Sequence, residues 1–140
     1  RSRGFLQAEE FHKVIRWKSP RATSRARKNS NAEIEQLTGL ALTAESERLR
    51  IEFLRLLHGV EWPTASVFLH FFHQDDYPVL DQRVIRAFGQ SQPSGYTHAF
   101  WQQYVAACRH WANQTGLSLR DLDRALWQWD RERNGVLPTG

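Results

Sequence analysis

The sequence predicts an all-α domain, and three observations carry that expectation. Every periodic apolar segment repeats at helical spacing, and none alternates as a strand would. Glycine, proline and hydroxyl or acidic residues stand where helix ends need them. The chain has 140 residues, 41% hydrophobic and 24% charged, which suits an ordinary globular protein with one core.

The elements follow in order. A first helix over about 6–17 places Leu6, Phe11, Val14 and Ile15 on one side. Ser19-Pro20 ends it, because the residue before proline avoids the helical region. Residues 19–31 are polar and basic and read as a loop. A second helix over about 31–42 turns Ile34, Leu37, Leu40 and Ala41 inward. Thr43 reads as the cap of a third, about 44–57, with Leu49, Phe53, Leu56 and Leu57 as its core stripe. The helix over 63–72 is apolar nearly all round and is expected to be buried.

Asp81 caps the next helix, which stops at Gly89. Residues 90–96, with Pro93 and Gly95, read as a loop. A long helix over about 97–115 spaces Trp101, Tyr104, Val105, Cys108, Trp111 and Ala112 on one stripe, and Gly116 ends it. Ser118 and Asp121 open the last helix like a capping box, with Leu119, Leu122, Leu126 and Trp129 as a narrow stripe. This makes seven helices in one compact domain over 1–140: a basic helix and loop over 1–30, a core over about 44–89, and C-terminal helices over 97–133.

Composition narrows the classes. No apolar run approaches the roughly 20 residues of a membrane helix, and no signal-peptide pattern is visible. The chain opens at Arg1 and has no methionine, so its natural start is expected upstream. Cys108 is the single cysteine, which rules out an internal disulfide and a four-cysteine cluster. A cytoplasmic location is expected. His70 and His73 stand three apart, but no third ligand follows at a metal spacing. There is no phosphate-binding glycine loop and no nucleophile elbow, so no metal and no cofactor is expected.

The charge is unevenly placed. Residues 1–30 carry nine Lys/Arg against Glu9 and Glu10, a net of +7, whereas residues 31–140 carry ten against thirteen acids, a net of −3. Arg16, Lys18, Arg21, Arg25, Arg27 and Lys28 form a run with no acid among them. Such a run suits a phosphate backbone, and it is equally a solvated basic arm. Arg83 and Arg86 either contact phosphate or pair with Asp75 and Asp76.

The stretch from Leu56 to Ala65 joins two helices through Gly59, Val60, Glu61 and Trp62 and restarts at Pro63. Two helices joined by so short a turn form a helix-hairpin-helix, whose unpaired N–H groups suit an anion. Gly59 suits a sharp turn or a close approach to phosphate, and Pro63 suits the first helical position. Asp81 follows eighteen positions beyond Pro63, at the head of the helix containing Val84 and Ala87. These residues resemble the helix-hairpin-helix DNA glycosylases, which pair such a hairpin with a catalytic aspartate at the same interval. The resemblance covers about 49–89. The stretches 16–21 and 122–127 are similar to those of a small bacterial branch that shares this hairpin.

The resemblance implies a DNA-glycosylase-like fold with duplex DNA as partner. Gly59, Val60, Glu61, Trp62 and Thr64 would hold the backbone, together with Arg16, Lys18 and Arg21 from the basic run. A base flipped from the stack would lie between aromatic faces, for which Trp62, Tyr77 and Trp17 are the candidates beside their ordinary role in packing. Ionised Asp81 would stabilise positive charge on the deoxyribose and orient water, although aspartate is equally a plain helix cap. The family's turn reads leucine-proline-glycine-valine-glycine; here His58 and Glu61 replace the proline and the second glycine. Glu61 would repel a phosphate unless it points away or holds a cation. Bifunctional members carry a lysine where this chain has Pro63, so the resemblance implies a monofunctional enzyme without lyase activity. The alternative is a non-catalytic module that binds nucleic acid or a protein partner.

Overall fold

Caps decide where the helices begin. The computed structural model describes residues 4–91 and 93–134. It holds α1 (Ala8–Lys18), α2 (Thr23–Ala26), α3 (Asn31–Thr43), α4 (Glu47–Arg55), α5 (Trp62–Phe72), α6 (Gln82–Ala87), α7 (His98–Thr115) and α8 (Leu119–Asn134). A 3₁₀ turn, Pro20–Ala22, stands between α1 and α2. Among the described residues there is no strand. The eighth helix is α2, inside the segment expected to be a loop. The chain divides into two compact units, Arg1–Asp76 and Tyr77–Gly140.

In the first unit Ser30 and Glu33 form a reciprocal capping box. Ser30 Oγ accepts from the Glu33 N–H at 3.0 Å, and Glu33 Oε1 accepts from the Ser30 N–H at 2.9 Å. Those bonds hold the Glu33 carboxyl below its ordinary value. The expected cap at Thr43 is corrected. Thr43 is the last residue of α3 and donates its hydroxyl back to the Gly39 carbonyl at 2.7 Å. Ser46 caps α4 instead, accepting from the Leu49 N–H.

The core of this unit joins α1, α3, α4 and α5. Phe11 of α1 stacks on Phe68 of α5 with ring centroids 5.4 Å apart. Ile15, Ile34, Ile51, Leu54, Leu57 and Leu69 are buried around them. Leu56, expected on the core stripe of α4, is 61% exposed. The helix buries Ile51 and Leu54 and the chain then turns to bury Leu57, which leaves Leu56 on the outer side. Buried Thr38 satisfies its hydroxyl by donating to the Ile34 carbonyl and accepting from the Leu6 N–H.

The second unit packs α8 against α6 and α7. Thr97 caps α7 through the Phe100 N–H, and Gly116 closes it at φ +74°. The inward stripe of α7 is Trp101, Tyr104, Val105 and Cys108. Trp111, expected on the same stripe, is 48% exposed, because the burial of α7 ends at Cys108 and its last turns run past what covers them. Trp129 is also exposed, with the Arg133 guanidinium 4.4 Å above its ring.

The polar centre of this unit is Asp130 on α8, which is wholly buried. Arg86 donates to it twice, Nε to Oδ1 and Nη2 to Oδ2, both at 2.8 Å. Arg83 Nη1 donates to Oδ2 at 3.1 Å, and Asn134 Nδ2 donates to Oδ1 at 2.9 Å. These contacts hold the Asp130 carboxyl below its ordinary value, Arg86 contributing most. Arg83 and Arg86 therefore pair with Asp130 rather than with Asp75 or Asp76. Asp75 is taken by Arg50 at 2.8 Å.

Candidate nucleic-acid interface

The basic segment is not a free arm. Residues 19–30 fold down onto the turn between α4 and α5 through four contacts. Ser19 Oγ and Thr64 Oγ1 lie 2.6 Å apart. Gly59, at φ +82°, sits beneath the segment so closely that a Cβ would meet the Ala22 carbonyl oxygen and the Ala26 nitrogen at 3.1 Å. Asn29 accepts from the His58 N–H at 2.8 Å and donates to the His58 carbonyl at 2.9 Å. Arg25 Nη1 stands 3.8 Å from Glu61 Oε2.

The inward residues of the segment are small or fully bonded. Ala22 and Ala26 are 3% and 0% exposed, and Asn29 is 6% exposed. Its charges, Arg21, Arg25, Arg27 and Lys28, are exposed; on α1 just before it, Arg16 is exposed and Lys18 half-buried. The half-buried His12 registers the cations. Burial lowers its imidazole first, and then Arg16 and Arg27 do. Arg1 and Arg3, part of the same charge excess, lie outside the described residues.

The turn residues are placed differently from one another. Gly59 and Val60 are buried, and the Val60 N–H closes the turn on the Leu57 carbonyl at 3.2 Å. Glu61 is exposed at the head of α5, and Arg25 is its cation. That pair is open to solvent on both sides and holds little energy, but it offsets the local negative charge. Thr64 is buried with its hydroxyl engaged by Ser19. Of the turn's own amides, Pro63 has none and that of Val60 is spent on the Leu57 carbonyl.

The three aromatic candidates separate as well. Trp62, a candidate to meet a base or the backbone, is 6% exposed, and the Arg55 guanidinium lies 4.3 Å over its ring. Tyr77, in the second unit, is buried and stacks on Trp101 at 6.1 Å, with Arg109 at its ring. Trp17 is 68% exposed and touches Phe71 edge-on at 6.2 Å. Of the three, Trp17 alone presents an open ring, and it lies inside the basic run.

Asp81 is half-exposed and caps α6, its Oδ1 accepting from the Arg83 N–H at 2.7 Å. Close by in sequence, the Tyr104 hydroxyl donates to the Val79 carbonyl at 2.7 Å. Desolvation strongly raises the phenol's pKa, so it stays protonated. A pocket of ≈ 290 Å³ in this unit is lined by Ile85, Phe88, Gln90, Phe100, Gln103, Tyr104 and Ala107, and Asp81 is not among them. Burial pushes the Cys108 thiol up to about 12, which leaves it without thiolate character at neutral pH. His73 is buried with Nδ1 accepting from the Asp75 N–H, and among the described residues no cluster of three or more His, Cys, Asp or Glu is placed to hold a metal. No helix of the described residues is long and apolar enough to cross a membrane.

The clamp on the turn is what sequence reasoning missed. Its signal is faint: two alanines four apart among charged residues, and one asparagine ahead of a capping serine. Comparison of the chain with protein-family models, with curated proteins and with solved structures finds no match.

Proposed function

We propose that the protein binds duplex DNA through the basic segment fastened over the α4–α5 turn, read as a helix-hairpin-helix, and that it does so without chemistry. The observation that carries this reading is the clamp itself. Ser19, Ala22, Ala26 and Asn29 hold the segment inward, so Arg21, Arg25, Arg27 and Lys28 stay exposed on a fastened backbone, with exposed Arg16 just before it on α1, and we read these cations as one preordered patch. A fixed patch meets a phosphate backbone without the ordering cost that a disordered arm incurs. Glu61 marks the turn side of the patch, and Arg25 compensates it. The reading stops short of catalysis because one oxygen of Asp81 serves the α6 cap, the ordinary role of an aspartate at a helix start.

The test is a titration of a fluorescent blunt duplex at several salt concentrations. Each phosphate neutralised contributes about 0.9 to the slope of log K against log salt, so five contacts give a slope of about −4.5. Arg21→Ala and Arg27→Ala should each make the slope shallower by about 0.9. Glu61→Gln should tighten binding. Binding indifferent to salt, or unchanged when both arginines become glutamate, would overturn the proposal.

A further inference from the structure

Trp17 gives the patch a second chemistry. It lies in the last turn of α1, between Arg16 and Lys18 and ahead of Arg21, and is 68% exposed. An indole so open inside a cationic run does nothing for the core. Among the described residues its ring neighbour is Phe71, which meets it at an interplanar angle of 76°, an edge contact that steadies the ring. Two residues on, Ser19 donates its N–H to the Ile15 carbonyl at 2.8 Å, and its side chain is tied to Thr64. The ring is therefore carried on a helix end anchored to α5, with Arg16 before it and Arg21 after it in the chain. Stacking of bases on an aromatic side chain beside a positively charged groove is how unpaired nucleic acid is held, and it needs no particular base.

We infer that Trp17 is a stacking platform for an unpaired base, and that the preferred ligand of this patch is a duplex carrying one, at an overhang, a bulge or a frayed end. The inference rests on the DNA-binding reading above and names the form of DNA that the site takes. A blunt duplex engages the cations only, whereas a duplex with an unpaired base engages cations and ring together.

The experiment compares three labelled DNAs of equal length: a blunt duplex, the same duplex with a short 3′ overhang, and the same duplex with one bulged 2-aminopurine. Wild type should bind the overhang and bulge forms more tightly than the blunt form by roughly 5- to 150-fold, the range that one stacked base supplies. The 2-aminopurine emission should be quenched on binding. Trp17→Ala should lose the preference and the quenching and keep its affinity for the blunt duplex, whereas Trp17→Phe should retain part of both. Because the side chain is exposed, melting temperatures of both variants should match the wild type. Equal affinity for the blunt and unpaired forms, with salt-dependent binding intact, overturns the inference and leaves the duplex-binding reading standing. A loss in Trp17→Ala that is the same for all three DNAs overturns it too, since the ring would then only shape the patch. Absence of binding to any of the three, even at low salt, removes both.

Discussion

The side-chain amide of Asn29 hydrogen-bonds both backbone polar groups of His58, twenty-nine residues away, accepting from its N–H at 2.8 Å and donating to its carbonyl at 2.9 Å. A second bond from the same Nδ2 reaches the Ala26 carbonyl at 2.8 Å. One buried side chain therefore closes α2 and locks it to the turn that opens toward α5. The two half-buried bonds to the exposed His58 contribute roughly 0.5–1.5 kcal/mol each, about 1–3 kcal/mol together. Asn29→Ala should destabilise the protein by about that amount in a urea titration, and it should weaken duplex binding although it removes no charge. Asn29→Asp keeps the acceptor for the His58 N–H and places a carboxylate against the His58 and Ala26 carbonyls, so it should be as damaging as alanine or worse. Unchanged DNA affinity in a destabilised Asn29→Ala would show that the clamp does not order the patch.

Gly59 tests the same clamp from the other side. Its φ of +82° alone makes a side chain costly there, by roughly 1–2 kcal/mol. A Cβ would also run into backbone atoms of Ala22 and Ala26 at 3.1 Å, which cannot swing away as a side chain could. Gly59→Ala should therefore cost clearly more than the same change at Gly116, where φ is +74° but nothing lies within 4 Å. Chemical denaturation of the two variants reads the difference directly. Equal losses would mean that the segment over Gly59 yields freely.

Helices were legible in the sequence wherever the caps are local. Ser118, Thr97, Asp81 and Gly116 all mark ends that the structure keeps. The folding of 19–30 was not, because its contacts are long-range: Ser19 to Thr64 spans 45 residues and Asn29 to His58 spans 29. The four residues of α2 are too few to declare themselves by periodicity. Local pattern also could not rank faces. Leu56 fits a helical stripe as well as Ile51 does, and only packing decides that Leu56 is left out. Trp62, where the turn enters α5, is buried with Arg55 from the preceding helix over its ring, a contact that local pattern does not show. For the candidate site, the basic run and the turn were legible as features of one expected surface, and the direct contacts that fasten one to the other were not.

Asp130 should govern how the second unit responds to acid. Its contacts with Arg86, Asn134 and Arg83 lower its pKa in the folded state. Between the unfolded value of about 3.9 and that lower value, the unfolded chain binds the proton more readily. The stability due to Asp130 is thus fully present above about pH 4 and lost as pH falls through the folded value. Asp130→Asn should lack this acid-dependent loss and be less stable at neutral pH, because Arg83, with a side chain only 7% exposed, loses its counter-charge. Removing one partner of a buried ion pair costs about 3–5 kcal/mol. Arg86 adds little to that figure, since its side chain is 37% exposed and solvent screens it. Thermal melts of both proteins across pH 2–7 check the two statements, and parallel curves would refute the linkage.

Asp81 separates a cap from a catalyst. Its Oδ1 accepts from the Arg83 N–H at 2.7 Å and so opens α6, the helix whose Arg83 and Arg86 hold Asp130. Asparagine caps a helix about as well as aspartate, whereas alanine costs about 0.5–2 kcal/mol. Asp81→Asn should therefore melt with the wild type and Asp81→Ala should melt lower. DNA affinity should be the same in all three, because the proposed patch lies in the other unit. A glycosyl transition state, in contrast, needs the charge that asparagine lacks. Incubating wild type and both variants with a panel of lesion-bearing duplexes, followed by alkaline cleavage at abasic sites, reads base release. The binding-only reading expects no release by any of the three. Release by wild type that vanishes in Asp81→Asn, with melting and DNA binding intact, would replace that reading with a monofunctional glycosylase in which Asp81 supplies the carboxylate. Release that survives Asp81→Asn would replace it with an enzyme whose chemistry lies on other residues and leave Asp81 a cap.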